Sequence, residues 1–92
     1  MIAIQVSLYP LEQEDIRRPL DIFWDVLKDN DIDYRITPLS TITWGEDEEG
    51  LYSIIFKAYK EARKLGPAVM VSTVTTGGKE RIEALLEFNT YD

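Results

Sequence analysis

The chain's hydrophobic periods predict an α+β fold: a βαββαβ unit closed by a short C-terminal helix. Three observations carry this expectation. Residues 2–9 alternate with period two, segments 16–27 and 51–65 repeat apolar residues at helical spacing, and residues 68–76 are rich in Val and Thr between glycine-marked turns.

In the first segment Ile2, Ile4, Val6 and Leu8 fall on one side and Ala3, Gln5, Ser7 and Tyr9 on the other, the mark of a half-buried strand. Pro10 removes a ladder donor and ends it. Ile16, Leu20, Phe23, Trp24 and Leu27 then form an amphipathic helical stripe. Pro19 is compatible with that helix only in its first turn, which places the start near Arg17 or Arg18. Asn30 is the expected stop. Tyr34 to Thr37 and Thr41 to Trp44 are two short strands joined through Pro38 and small residues. The second helix follows the acidic run Glu46-Asp47-Glu48-Glu49, which complements the positive end of a helix dipole. Its stripe is Leu51, Ile54, Ile55, Ala58, Tyr59, Ala62 and Leu65, and Gly66-Pro67 ends it. Ala68 to Thr76 is the fourth strand and Gly77-Gly78 a turn. Glu80 to Phe88, with Ile82, Leu85 and Leu86, is a third helix, and the tail from Asn89 to Asp92 is expected to fray.

This order is that of a ferredoxin-like sandwich, two helices on one face of a four-stranded antiparallel sheet. With 92 residues the chain is expected to be a single domain spanning 1–92. In the fourth strand Met70 and Val74 share one face and Val69 and Val71 the other, so neither face is polar. A strand of that kind is covered on both sides. The helices account for one side, and a second copy of the chain, in a homodimer or homotetramer through the sheet, is expected on the other.

Composition narrows the chemistry. The chain has 17 acidic and 10 basic residues, a net charge of -7, and no basic face of the kind that displaces counterions from nucleic acid. No apolar run approaches the ~20 residues of a membrane span, and no basic leader precedes the first strand, so a soluble cytoplasmic protein is expected. There are no cysteines and no histidines, which removes thiolate nucleophiles, Cys/His zinc sites and the usual base near neutral pH. That argues against a hydrolase or transferase and points to no catalytic residue and no cofactor.

Two motif fragments fail on inspection. Asp29-Asn30-Asp31-Ile32-Asp33 opens like a calcium loop, but Tyr34 and Ser40 stand where position 6 needs Gly and position 12 needs Glu. Gly77-Gly78-Lys79 has Thr73 and Glu80 where a phosphate loop needs Gly and Ser or Thr. No metal site is expected.

The hydroxyls are the more informative set. Ser7, Ser40, Thr41, Thr43, Ser72, Thr73 and Thr75 suit strands by propensity alone. They also supply donors and acceptors of the kind that line a small-molecule pocket. With the first and third strands as neighbours, Ser7, Thr41 and Thr43 are expected on the helix-free face beside Gln5 and Tyr9. Tyr9 and Trp44 are candidate aromatic walls, and Glu46 can face a cationic or amino-bearing ligand. Trp24, on a helix stripe, reads as core.

The segments Ser7-Leu8-Tyr9-Pro10-Leu11 and Pro38-Leu39-Ser40-Thr41-Ile42-Thr43-Trp44-Gly45-Glu46, with the amphipathic stretch that follows, resemble the thiamine-binding protein family, small domains that bind thiamine or its hydroxymethylpyrimidine moiety. The resemblance runs from about Met1 to Thr75. It implies a non-catalytic ligand-binding protein that assembles through its sheet, with pocket-lining roles for Ser7 to Tyr9 and Ser40 to Glu46. Trp44 departs from it, being bulkier than the residue expected before the glycine, which narrows the pocket or changes the ligand. Together the expected ligand set is Gln5, Ser7, Tyr9, Ser40, Thr41, Thr43, Trp44 and Glu46. Two alternatives remain: a protein-interaction or regulatory module with no metabolite, and an acylphosphatase-like enzyme. The second lacks the expected anion-binding loop, since Leu11-Glu12-Gln13 follows the first strand.

Overall fold

The computed structural model describes residues 1–89; of the tail expected to fray from Asn89 to Asp92, Asn89 is instead the last residue of a helix and the rest lies outside the described residues. The elements are β1 (Ile2–Pro10), α1 (Arg17–Asp29), β2 (Asp33–Ile36), β3 (Thr41–Gly45), α2 (Glu48–Ala62), β4 (Ala68–Thr76) and α3 (Lys79–Asn89), with a 3-10 turn at Arg63–Leu65 extending α2. The strands form one antiparallel sheet in the order β2-β3-β1-β4. This is the ferredoxin-like βαββαβ arrangement.

Local chemistry explains the helix ends. α1 starts at Arg17 with Pro19 in its first turn, and the Asp15 carboxylate accepts from the backbone N–H groups of Arg17 and Arg18 at 3.0 and 3.2 Å. At the other end Asp31 N–H donates to Lys28 O and Ile32 N–H to Leu27 O, the paired bonds of a Schellman cap. Asn30 is the C-cap, as expected, but Asp31 is the residue in the left-handed region, with φ 56°. Glycine adopts that conformation without steric cost, and a carboxylate there opposes the negative end of the helix dipole. Asp31→Gly is therefore expected to raise stability by about 0.5–1 kcal/mol, read by urea denaturation. A loss of stability instead would reveal a role for the carboxylate.

α2 begins with a side-chain cap, Asp47 Oδ1 accepting from Gly50 N–H at 3.0 Å. A Cβ at Gly50 would meet that carboxylate, which would have to shift to admit it. Gln13 Nε2 and Leu11 N–H both donate to Pro67 O, tying the β1–α1 loop to the entry of β4.

The core lies between the sheet and the two long helices. Ile2, Ile4 and Val6 of β1 pack against Phe23 and Leu27 of α1 and against Leu51, Ile55, Ala58 and Ala62 of α2. The opposite face is not bare. α3 folds back across it and buries Ile82 and Leu86 against Ala3 and Ile42, with Met1 and Trp44 alongside. Arg35 Nη1 donates to Leu86 O at 2.8 Å and holds the helix in place. The expectation that this face lacks cover within one chain is thus corrected: the chain's own C-terminal helix shields part of it. Val69, Val71 and Tyr9 remain exposed beyond that cover.

Candidate functional site

The register decides where the hydroxyls go. In β1 and β3, Ile4 pairs with Thr43 and Val6 with Thr41. Directly paired residues share a face, so both threonines lie on the helix-covered side with Ile4 and Val6. The expected placement of Thr41 and Thr43 on the helix-free face beside Gln5 is therefore corrected. Both are buried and satisfied: Thr43 Oγ1 donates to Ile4 O at 3.0 Å, and Thr41 Oγ1 accepts from Trp24 Nε1 at 2.9 Å. Every buried side-chain nitrogen and oxygen among the described residues has a partner.

A pocket of about 280 Å³ opens at the end of the sheet where β1 finishes and the β2–β3 hairpin turns. Its walls are Leu20, Phe23 and Trp24 from α1, Leu8 and Tyr9 from β1, and the run from Ile36 to Thr41. The hairpin is held open by one hydroxyl. Thr37 Oγ1 donates to Ser40 O at 3.0 Å and accepts from Ser40 N–H at 3.0 Å, and it lies 3.0 Å from Ser40 Oγ. Beside them, Thr41 keeps its own proton available, because a hydroxyl that accepts from Trp24 can still donate. Among the described residues, no charged side chain lines this pocket. Arg17 lies over the Trp24 ring at 5.5 Å and is bound to Asp21 at 2.9 Å.

Of the expected ligand set, the pocket gathers Tyr9, Ser40 and Thr41. The others are elsewhere. Gln5 borders a recess of about 160 Å³ beneath α3 on the opposite face. Ser7 Oγ donates to Leu39 O at 3.3 Å, and Thr43 lies in the core. Trp44 and Glu46 border a hollow at the far end of β3, with Asn30, Asp33 and Ile54. Thr41 and Gly45, the ends of β3, are about 13 Å apart along the strand, so one small ring cannot touch both groups. Trp44 instead carries the Arg35 guanidinium at 5.7 Å from its ring.

Sequence reasoning passed over Trp24, Phe23, Leu20 and Thr37. Trp24 sits on the helical stripe as a core residue would, yet it is half-buried and its indole N–H points to Thr41. The signal available was its polar N–H, which a fully apolar setting would leave unpaired.

No protein-family model matches the chain, and no curated protein matches it. Solved structures do. A Streptococcus pneumoniae protein is 24% identical with a TM-score of 0.80, covering 94% of this chain and 97% of its own. A Bacillus cereus domain of unknown function, DUF77, is 15% identical with a TM-score of 0.72, over 85% of this chain and 77% of its own. A Thermotoga maritima protein provisionally assigned to thiamine biosynthesis or salvage is 13% identical with a TM-score of 0.74, over 92% of this chain and 97% of its own. At these identities the likeness is one of fold, and it supports the thiamine-binding resemblance at that level. No helix among the described residues is long and apolar enough to cross a membrane.

Proposed function

We propose that this chain is a non-catalytic small-molecule-binding protein whose ligand is a neutral, flat heteroaromatic ring of the hydroxymethylpyrimidine kind, held between α1 and the β2–β3 hairpin. The observation that carries the reading is the uncharged aromatic pocket with the Trp24–Thr41 hydrogen bond in its wall. Its volume of about 280 Å³ falls at the small end for ligand sites, which suits a single ring with a short substituent. Trp24 offers a flat wall, while Thr41 and the Ser40–Thr37 pair offer hydrogen-bonding edges. Phosphate finds no cation in this lining. A thiazolium stacked on Trp24 would share the indole with the Arg17 guanidinium, so thiamine itself is the weaker ligand. The thiamine-related assignment of the Thermotoga maritima neighbour is consistent with this ligand class.

Titration calorimetry tests the reading. Free hydroxymethylpyrimidine is expected to bind and thiamine to bind less tightly. Thr41→Val should weaken the pyrimidine about five- to ten-fold, the loss of one hydrogen bond of about 1 kcal/mol or slightly more. An absence of both heat and thermal shift at millimolar pyrimidine would exclude this ligand. A second reading, a protein-interaction module, draws on Leu39, which stands 85% exposed beside the pocket. Recovery of a stoichiometric protein partner, with no pyrimidine binding, would put that reading in its place.

A further inference from the structure

Gln5, Thr73 and Thr75 belong to the polar set that the sequence singles out, and the pocket beside α1 takes none of them. The register brings them together elsewhere. Across the β1–β4 ladder Gln5 pairs with Thr73 and Ala3 with Thr75. Directly paired residues share a face, as do residues two apart on one strand, so all four stand on the side that α3 covers. The Cβ atoms of such pairs lie about 5 Å apart, close enough for an amide and its neighbouring hydroxyls to address one small molecule.

These residues border the recess of about 160 Å³ under α3. α3 seats on Ala3 of β1 and Ile42 of β3, and the recess opens between its flank and β4. Ile82, Leu85 and Leu86 share one helical face and supply the roof. Ala3 and Ile42 supply an apolar floor, with Gln5, Thr73 and Thr75 at its polar margin.

The polar groups here are free to act. Thr43 and Thr41 are engaged with Ile4 O and Trp24 Nε1. Among the described residues, the side chains of Gln5, Thr73 and Thr75 make no hydrogen bond within the chain. None of the described residues that line the recess is charged, so an ion would enter without a counter-charge and at a large cost. An apolar cavity of about 150 Å³ holds a benzene ring, which gives this one room for a single ring. A glutamine amide presents N–H and C=O together, and its closest complement carries the same two groups side by side.

We infer that the recess under α3 is a second ligand site, for a small uncharged ring with a lactam edge, N–H beside C=O. The ring lies between the aliphatic side chains of α3 and the floor of Ala3 and Ile42. Its edge meets the Gln5 amide through two hydrogen bonds, and the Thr73 and Thr75 hydroxyls serve the lone pair left over. Roof and floor come from different elements, so an occupant ties α3 to the sheet. This site stands whether or not the pocket beside α1 takes a pyrimidine.

An NMR titration of the whole chain with 2-pyridone, a minimal ring with that edge, tests the inference. Amides 3–5, 73–75 and 82–86 are expected to shift together and saturate at millimolar probe, while the Trp24 indole N–H stays in place. N-methyl-2-pyridone, which lacks the donor, should bind about ten-fold more weakly, and so should 2-pyridone to the Gln5→Met variant. Gln5 is exposed, so that variant should keep its spectrum away from the recess. At about ten times Kd, exchange of the α3 amides should slow about ten-fold, the linkage of a ligand that binds only the docked helix. The inference is overturned by an absence of these shifts at about 10 mM probe, or by an affinity indifferent to N-methylation or to Gln5→Met. Unchanged α3 exchange at saturation would overturn it too. Shifts confined to the Trp24 indole and residues 37–41 would do the same, and would leave the pocket beside α1 as the ring's site.

Discussion

Replacing Phe23 with alanine is expected to remove about 3–5 kcal/mol of folding stability, the largest loss from any single truncation considered. The side chain is 1% exposed and belongs to the cluster that joins α1 to β1 and α2. Its deletion forfeits both transfer energy and packing, because the backbones around it are fixed by the ladder and the helix caps. For a chain of this size the melting temperature should fall by on the order of 15–25 °C. That is a large share of the ~5–15 kcal/mol available to a small domain, so the variant should be marginal at room temperature. Phe23 also walls the ligand pocket, so the vacated volume would join it and pyrimidine binding should weaken in parallel. Urea denaturation measures the first effect and calorimetry the second. A loss below about 1 kcal/mol would mean that the ring does not pack as described.

Ile82→Asp is expected to detach α3 while the βαββαβ unit stays folded. Ile82 is 0% exposed, and with Leu86 it forms the helix's buried contact with Ala3 and Ile42. An unpaired carboxylate cannot remain there, because burying it costs more than the helix gains by docking. Once free, eleven residues are too few to hold a helix in water. The far-ultraviolet signal should drop by the contribution of one short helix, and amides 79–89 should exchange at unprotected rates. The amides of β1 and α1 should keep their protection. Global unfolding of the variant would instead show that α3 is integral to the core.

Element order was legible because each period is local. The alternation in β1, the stripes of α1 and α2 and the Gly66-Pro67 stop are all written within a few residues. The facing of β3 was not. Alternation assigns Thr41 and Thr43 to one side and Ile42 and Trp44 to the other, but not which side meets the helices. That choice depends on the pairing of Ile4 with Thr43 and on the return of α3, which gives Ile42 an apolar partner on the second face. Both are long-range facts. The expected ligand set is accordingly dispersed: Tyr9, Ser40 and Thr41 meet at the pocket, Gln5 lies beneath α3, Thr43 is core, and Trp44 with Glu46 borders the hollow at the far end of β3. Trp24 was obscured by the opposite effect: its spacing is that of a core residue, and its role is visible only through the hydroxyl it meets.

The last helix links parts of the chain that are remote in sequence. Ile82 and Leu86 rest on Ala3 of β1 and Ile42 of β3, while the Arg35 guanidinium of β2 grips the Leu86 carbonyl. Its docking ground thus exists only once those three strands have zipped together, and eleven residues do not hold a helix unaided. The C-terminus accordingly acts as a proofreader of the ladder: whatever parts the strands also unseats it.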